Sequence, residues 1–255
     1  MWYENTRLLS YAEYGDKNGF PILIQHGLIA SIRDADIFDH LLRLKTCLIC
    51  IARPGYGESS PYKMSNIGEW GEIVSALVAE LDLSQFDVLG MSSGAPYSYA
   101  IGYKFPDRAR NIFIFSGTPA LYDKKVQPHW PFPLTPNADI TEMQKLAYEL
   151  FFSNASDEDR KKNDIHDSMM NNCFGLAQDF RLRCMDWGFR LSEVTQSVYM
   201  QHSKNDPNVP FITAEITAGL LPNCQFIAKE SDIHFSQETL DEFIDKVMAR
   251  HYEKQ

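Results

Sequence analysis

Seven short apolar runs punctuate the chain: Leu8–Tyr14, Pro21–Gln25, Thr46–Ala52, Phe86–Leu89, Ile112–Phe115, Val198–Gln201 and Cys224–Ala228. Most are continuous rather than alternating, the pattern of strands covered on both faces. The segments between them have helical spacing. In Asn66–Leu81 the apolar positions Ile67, Trp70, Ile73, Val74, Leu77 and Val78 fall on one stripe, and Leu240, Phe243, Ile244 and Val247 do the same in Ser236–His251. Strands alternating with helices predict a mainly parallel sheet with helices on both faces. The rhythm breaks once, between about residues 121 and 196, where no strand is expected. That stretch opens with Pro128, Pro131, Pro133 and Pro136 among aromatics and continues with helical patterns at Ile140–Phe152 and Ile165–Arg183. A helical insertion over 121–196 inside a single domain over 1–255 is the expectation, in the position a lid would occupy.

Composition narrows the class of partner. The 255 residues are 44% hydrophobic, enough for one sizeable core, and carry a net charge of -10. An acidic surface argues against nucleic acid and against an anionic membrane as partners. No apolar run approaches the ~20 residues that span a bilayer, and the first ten residues lack the basic-then-apolar order of a secretory signal. Five cysteines, an odd number, fit a reducing cytoplasm. Cys47 and Cys50 have CxxC spacing but lie in the run Thr46–Ala52, where positions i and i+3 point to opposite faces of a sheet. They read as buried thiols and not as metal ligands.

The candidate chemistry starts at Gly90-Met-Ser-Ser-Gly94, which follows one apolar run and precedes a predicted helix over 95–105. A G-x-S-x-G turn from strand to helix holds its central serine, here Ser92, in a strained conformation that exposes the hydroxyl beside a helix N-terminus. A serine hydroxyl is a weak nucleophile at neutral pH and needs a base oriented by an acid. Of seven histidines, His234 lies on a loop between the last predicted strand and the last predicted helix. Asp206 lies on the loop after Val198–Gln201, so both stand at carboxyl ends of strands, where α/β sheets place their sites. Asp232 is the competing acid, weaker because it sits two residues from His234. The backbone N–H groups of Leu28 and Ser93 are the candidate oxyanion donors, with Gly27 permitting close approach and His26 bracing the loop.

These motifs together resemble the α/β-hydrolase family, serine esterase branch. His26-Gly27 matches the family's HG, Ala52–Ser59 its D-R-P-G-Y-G-x-S turn, Gly90–Gly94 its nucleophile elbow, and His202–Pro210 its H-G-x-x-D-x-x-V-P segment. Ala52 replaces the usual aspartate, Ser203 a glycine, and Ile233 the glycine often found before the histidine. The resemblance implies a sheet of about eight strands, its first supplied by Met1–Asn5 or missing, and the order Ser92, Asp206, His234. It implies a hydrolase of a small or medium ester substrate that acts without metal or cofactor. A proline-releasing peptidase or acyltransferase of the same fold is the alternative within enzymes, and a non-catalytic ligand-binding or signalling member is the alternative outside them. The sequence leaves the oligomeric state open, a homo-oligomer included.

Overall fold

The computed structural model describes residues 1–3, 6–136 and 138–252. Strands β1 (Trp2–Tyr3) and β2 (Arg7–Leu8) pair with each other, apart from the main sheet. That sheet has seven strands: β3 (Tyr11–Gly15), β4 (Phe20–Gln25), β5 (Thr46–Ile51), β6 (Phe86–Met91), β7 (Ala109–Phe115), β8 (Ser197–Ser203) and β9 (Cys224–Lys229). Their spatial order is β3-β5-β4-β6-β7-β8-β9. All neighbours are parallel except β3, which runs antiparallel to β5 at one edge. Each predicted run therefore supplies one strand of the sheet. The run Leu8–Tyr14 is divided: Leu8 pairs in the small sheet and only Tyr11 onward reaches β5.

Period-2 alternation assigns strand residues to two cores. Leu23, Ile49, Val88 and Ile112 face one side, against α2 (Glu69–Glu80), α3 (Ala95–Lys104) and α6 (Phe211–Gly219). Ile22, Leu48, Leu89 and Phe113 face the other, against α1 (Asp39–Leu42) and α7 (Gln237–Phe243). Cys47 belongs to the first core and Cys50 to the second, so the CxxC pair is split across the sheet. Burial pushes the Cys50 thiol up to about 12. The predicted last helix does not keep one hydrogen-bond pattern. After α7 it becomes a π turn over Ile244–Met248 and a 3-10 turn over Ala249–His251.

Between β7 and β8 lie α4 (Ile140–Phe151) and α5 (Asn163–Leu182), with no strand among the described residues there. The two pack on a third apolar cluster that includes Met143, Ala147, Leu176 and Phe180 and reaches Ala52 and Tyr56 of the sheet body. The helix expected over 165–183 is broken within α5. Asn171, Asn172 and Cys173 have φ of 53°, 55° and 60°. Asparagine tolerates this left-handed region better than most residues. The carbonyls freed by the break accept from Gln144 Nε2 at 3.1 and 3.0 Å.

Candidate active site

Ser92 sits where β6 turns into α3, with φ of +47°. The turn has room for nothing larger than glycine on either side. A Cβ at Gly94 would lie 2.1 Å from the Gln25 carbonyl oxygen, and one at Gly90 would lie 2.2 Å from Ser98 Oγ. The Thr118 N–H donates to the Ser92 carbonyl at 2.9 Å, tying the turn to the loop after β7. Ser92 is partly exposed, and what it faces is a cavity of about 930 Å³.

The loops after β8 and β9 bring two side chains to that hydroxyl. His234 Nδ1–H donates to Asp206 Oδ2 at 2.7 Å, which leaves Nε2 to accept the Ser92 Oγ–H at 2.9 Å. The tautomer follows from these partners. Asp206 is held on its far side as well: Oδ1 accepts the N–H groups of Asn208 and Val209 at 2.8 and 2.9 Å. Burial works to raise the Asp206 pKa, but the His234 hydrogen bond and the two backbone donors outweigh it, and the carboxyl is lowered from its ordinary value. Asp232 is exposed, and Asp206 is the carboxylate that reaches the ring.

The other histidines are placed differently. His26 is buried, donates from Nδ1 to the Gly27 carbonyl at 2.8 Å and accepts the Arg53 N–H at Nε2. Burial, helped by the Arg53 charge, pushes its pKa well below 6.5, so the ring is a neutral brace. His202, also buried, donates from Nε2 to the Val209 carbonyl at 2.9 Å and stands 3.4 Å from Asp206 Oδ2. Leu28 and Ser93 both line the cavity beside Ser92. Ser93 occupies the second position of a one-turn 3-10 helix, where the backbone N–H has no acceptor within the helix.

Two departures from the family pattern have visible consequences. Ser203 Oγ donates to the carbonyl of Ile233 at 2.8 Å, so the hydroxyl that replaces a glycine holds the residue before His234. Ala52 leaves Arg53 with no carboxylate next to it in sequence, and α5 supplies one. Arg53 is 1% exposed, and its Nη2 donates to Asp179 Oδ2 at 2.7 Å and to the Gly27 carbonyl at 2.9 Å. Its Nη1 donates to the His26 carbonyl at 2.6 Å. Tyr56 and Tyr97 donate to the same Asp179 carboxylate at 2.9 and 2.6 Å. Burial and the Asp179 charge raise both phenols well above 10. Asp179 was not legible as a site residue, although a carboxylate within the helical stripe Leu176, Ala177 and Phe180 is the anomaly that would have marked it.

The cavity walls are mainly apolar and come from both regions: Ile24, Met91 and Phe235 from the sheet body, Trp130, Phe132 and Phe151 from the segment between β7 and β8. Of the other aromatics in that segment, Phe152 and Trp187 are buried elsewhere. The volume falls in the range of small-molecule sites. Among the described residues, no group of three or more His, Cys, Asp or Glu side chains could hold a metal ion, and no helix is long and apolar enough to cross a membrane.

The chain can now be set beside known proteins. It is similar in structure to an alpha/beta hydrolase enzyme from a Medee basin deep-sea metagenome library, with a TM-score of 0.70 and 15% identity over 99% of this chain and 96% of that one. A bromoperoxidase from Bacillus anthracis gives 0.71 and 16% over 96% of each chain. An esterase from Exiguobacterium antarcticum gives 0.65 and 17% over 97% and 94%. At such identities the likeness speaks for the fold alone. A curated relative, the dihydrolipoyllysine-residue acetyltransferase component of the acetoin cleaving system of Pseudomonas putida, is 28% identical over 112 residues. That match covers 43% of this chain and 30% of the relative's length. Residues 21–239 match the family profile described as alpha/beta hydrolase fold, and the chain belongs to that family.

Proposed function

We propose that this protein is a serine hydrolase that cleaves a small or medium ester through an acyl-enzyme. The observation that carries the reading is the unbroken relay from Asp206 through His234 to Ser92 Oγ, opening on an apolar cavity. Ser92 Oγ attacks the ester carbonyl carbon as its proton passes to His234 Nε2, and the Asp206 carboxylate steadies the imidazolium. The negative charge collects on the carbonyl oxygen, toward which the Leu28 and Ser93 N–H groups are offered. Collapse breaks the carbon–oxygen bond of the ester, and His234 returns its proton to the departing alkoxide. Water then attacks the acyl-serine, giving its proton to His234. The second collapse releases the carboxylic acid and restores the Ser92 hydroxyl. In this reading the helices between β7 and β8 act as a lid that excludes bulk water from the cavity and shapes the acyl pocket.

A fluorophosphonate probe tests the assignment. The intact protein is labelled and turns over p-nitrophenyl esters of short acids, and Ser92→Ala abolishes both. Labelling that survives the substitution overturns Ser92 as nucleophile. No labelling together with no turnover across esters, anilides and lactones overturns the hydrolase reading in favour of ligand binding.

A further inference from the structure

The cavity contains a cation that the proposed reaction does not use. Arg183, at the C-terminus of α5, is the one lysine or arginine among the described residues that line it. Its Nε is sealed from solvent and has no hydrogen-bond partner among the described residues, and no described carboxylate stands within ion-pair distance of its guanidinium. What surrounds it is soft: the Trp130 ring with its centroid 5.4 Å away, the Phe180 ring at 4.7 Å, and the Cys184 thiol. Asp179, one helical turn earlier, is already engaged by Arg53, Tyr56 and Tyr97. Burial pulls the Arg183 pKa down and outweighs the opposing pull of the Cys184 side chain and the Asp179 charge. Beside it, Trp130 is 9% exposed, lines the same cavity, and holds a second sealed donor, Nε1, with no partner. Buried donors are rarely left unpaired, and two of them just behind a cavity wall mark a place where a small turn of the side chains lets a ligand complete the bonding.

Resting on the reading of Ser92 as nucleophile, we infer that the substrate is a carboxylate-bearing ester whose free carboxylate is held by Arg183 and Trp130 Nε1. Arg183, Ser93 and Thr118 line the cavity and also a small recess behind it that contains Tyr97 and the Asp179 carboxylate, so the anion's place is on the cavity side of Arg183, away from Asp179. The anion therefore sits next to the proposed oxyanion donor, and the substrate is one in which only a few bonds separate carboxylate from scissile carbonyl, as in the half-ester of a short dicarboxylic acid. A planar monoanion suits a lone guanidinium and one indole N–H better than a phosphate dianion, which calls for more than one cation. The other charged groups lining the cavity, Asp34 and Asp164, already accept hydrogen bonds at the start of α5. Asp34 accepts from Asn163 Nδ2 at 2.8 Å and Asp164 from the Ile165 N–H at 2.8 Å.

Binding separates this inference from catalysis. In the Ser92→Ala protein, monobenzyl succinate and its uncharged counterpart benzyl methyl succinate are titrated by ligand-observed NMR. The half-ester is expected to bind at least tenfold more tightly. Arg183→Met collapses that ratio toward one, Arg183→Lys restores part of it, and Trp130→Phe, which keeps a ring but removes the N–H, lowers it by about threefold. A ratio near one in the arginine-bearing protein overturns the inference without any variant. So does a ratio unchanged by Arg183→Met, and if that variant does not fold, a ratio unchanged by both Arg183→Lys and Trp130→Phe. Selectivity in a protein that fluorophosphonate does not label would sink the hydrolase reading and leave the carboxylate site standing.

Discussion

The floor and the roof of the cavity solve the burial of polar groups in opposite ways. The floor, built from strand-end loops, saturates its polar groups within one loop or from the neighbouring strand-end loop. Asp206 takes hydrogen bonds from its own loop, His26 gives one to the neighbouring Gly27 carbonyl, and Ser203 fixes the His234 loop one strand away. The roof, built from α4, α5 and their connections, reaches across the molecule instead. Asp179 completes a guanidinium and two phenols of the body, and Asp167 pairs with Arg33 at 2.6 Å. Two guanidiniums, Arg53 buried and Arg183 half-buried, show the contrast most sharply. Arg53 is joined to a carboxylate and two carbonyls, whereas Arg183 faces rings and a cavity. The paired charge joins two regions of the molecule, whereas the partner we propose for Arg183 comes from the substrate.

The largest expected break falls on the floor. Ser92→Ala should lower kcat/KM for an activated ester by at least ~10⁴-fold, because the relay acts as a unit, while leaving the thermal midpoint nearly unchanged. A loss of less than tenfold would put the nucleophile elsewhere. The join between the regions comes next. Asp179→Ala strands the Arg53 charge in the interior and should cost ~3–5 kcal/mol in chemical denaturation. The double variant Arg53→Met with Asp179→Leu should recover much of that, and additive losses in the cycle would deny the pairing.

A third test uses pH. His26 and His202 both have folded pKa values lowered, first of all by burial, whereas the unfolded chain takes up its protons near pH 6.5. Stability from these neutral rings is complete above that pH. It falls as pH drops below it, by up to ~1.4 kcal/mol per unit for each ring, until the lowered folded value is reached. Denaturation curves at pH 8, 6 and 5 should show the decline, and His26→Gln should flatten it. A decline that is the same in the variant would place the titrating group elsewhere. The smallest effect belongs to Ser203→Ala. Removing the bond to the Ile233 carbonyl should cost ~0.5–1.5 kcal/mol and lower kcat more than it raises KM, since the loop it holds carries His234. An unchanged kcat would make Ser203 a packing residue only.

Some of this architecture is written locally. Side-chain alternation along Thr46–Ile51 and its fellow runs decides which face each residue covers, so strand existence and the parallel class could be read without a structure. Glycines two residues either side of Ser92 are a steric requirement of the turn itself, and Asp206 and His234 follow strands in the order that brings them to one end of the sheet. The break in α5 was less legible, because asparagines permit a left-handed turn without demanding one.

Neighbours along the chain therefore set the strand periodicity, the cramped turn at Ser92 and the succession of loops. Partnerships between residues far apart in sequence came from the packing of the fold. It joined Asp179 to Arg53, set Ser203 beneath the His234 loop, and left Arg183 facing the cavity. The physical reason is that a charge on a helix stripe reads the same in one dimension whether it meets a counter-ion, a ring or an open pocket. Its energy is settled by what is packed against it, and that is a property of the fold.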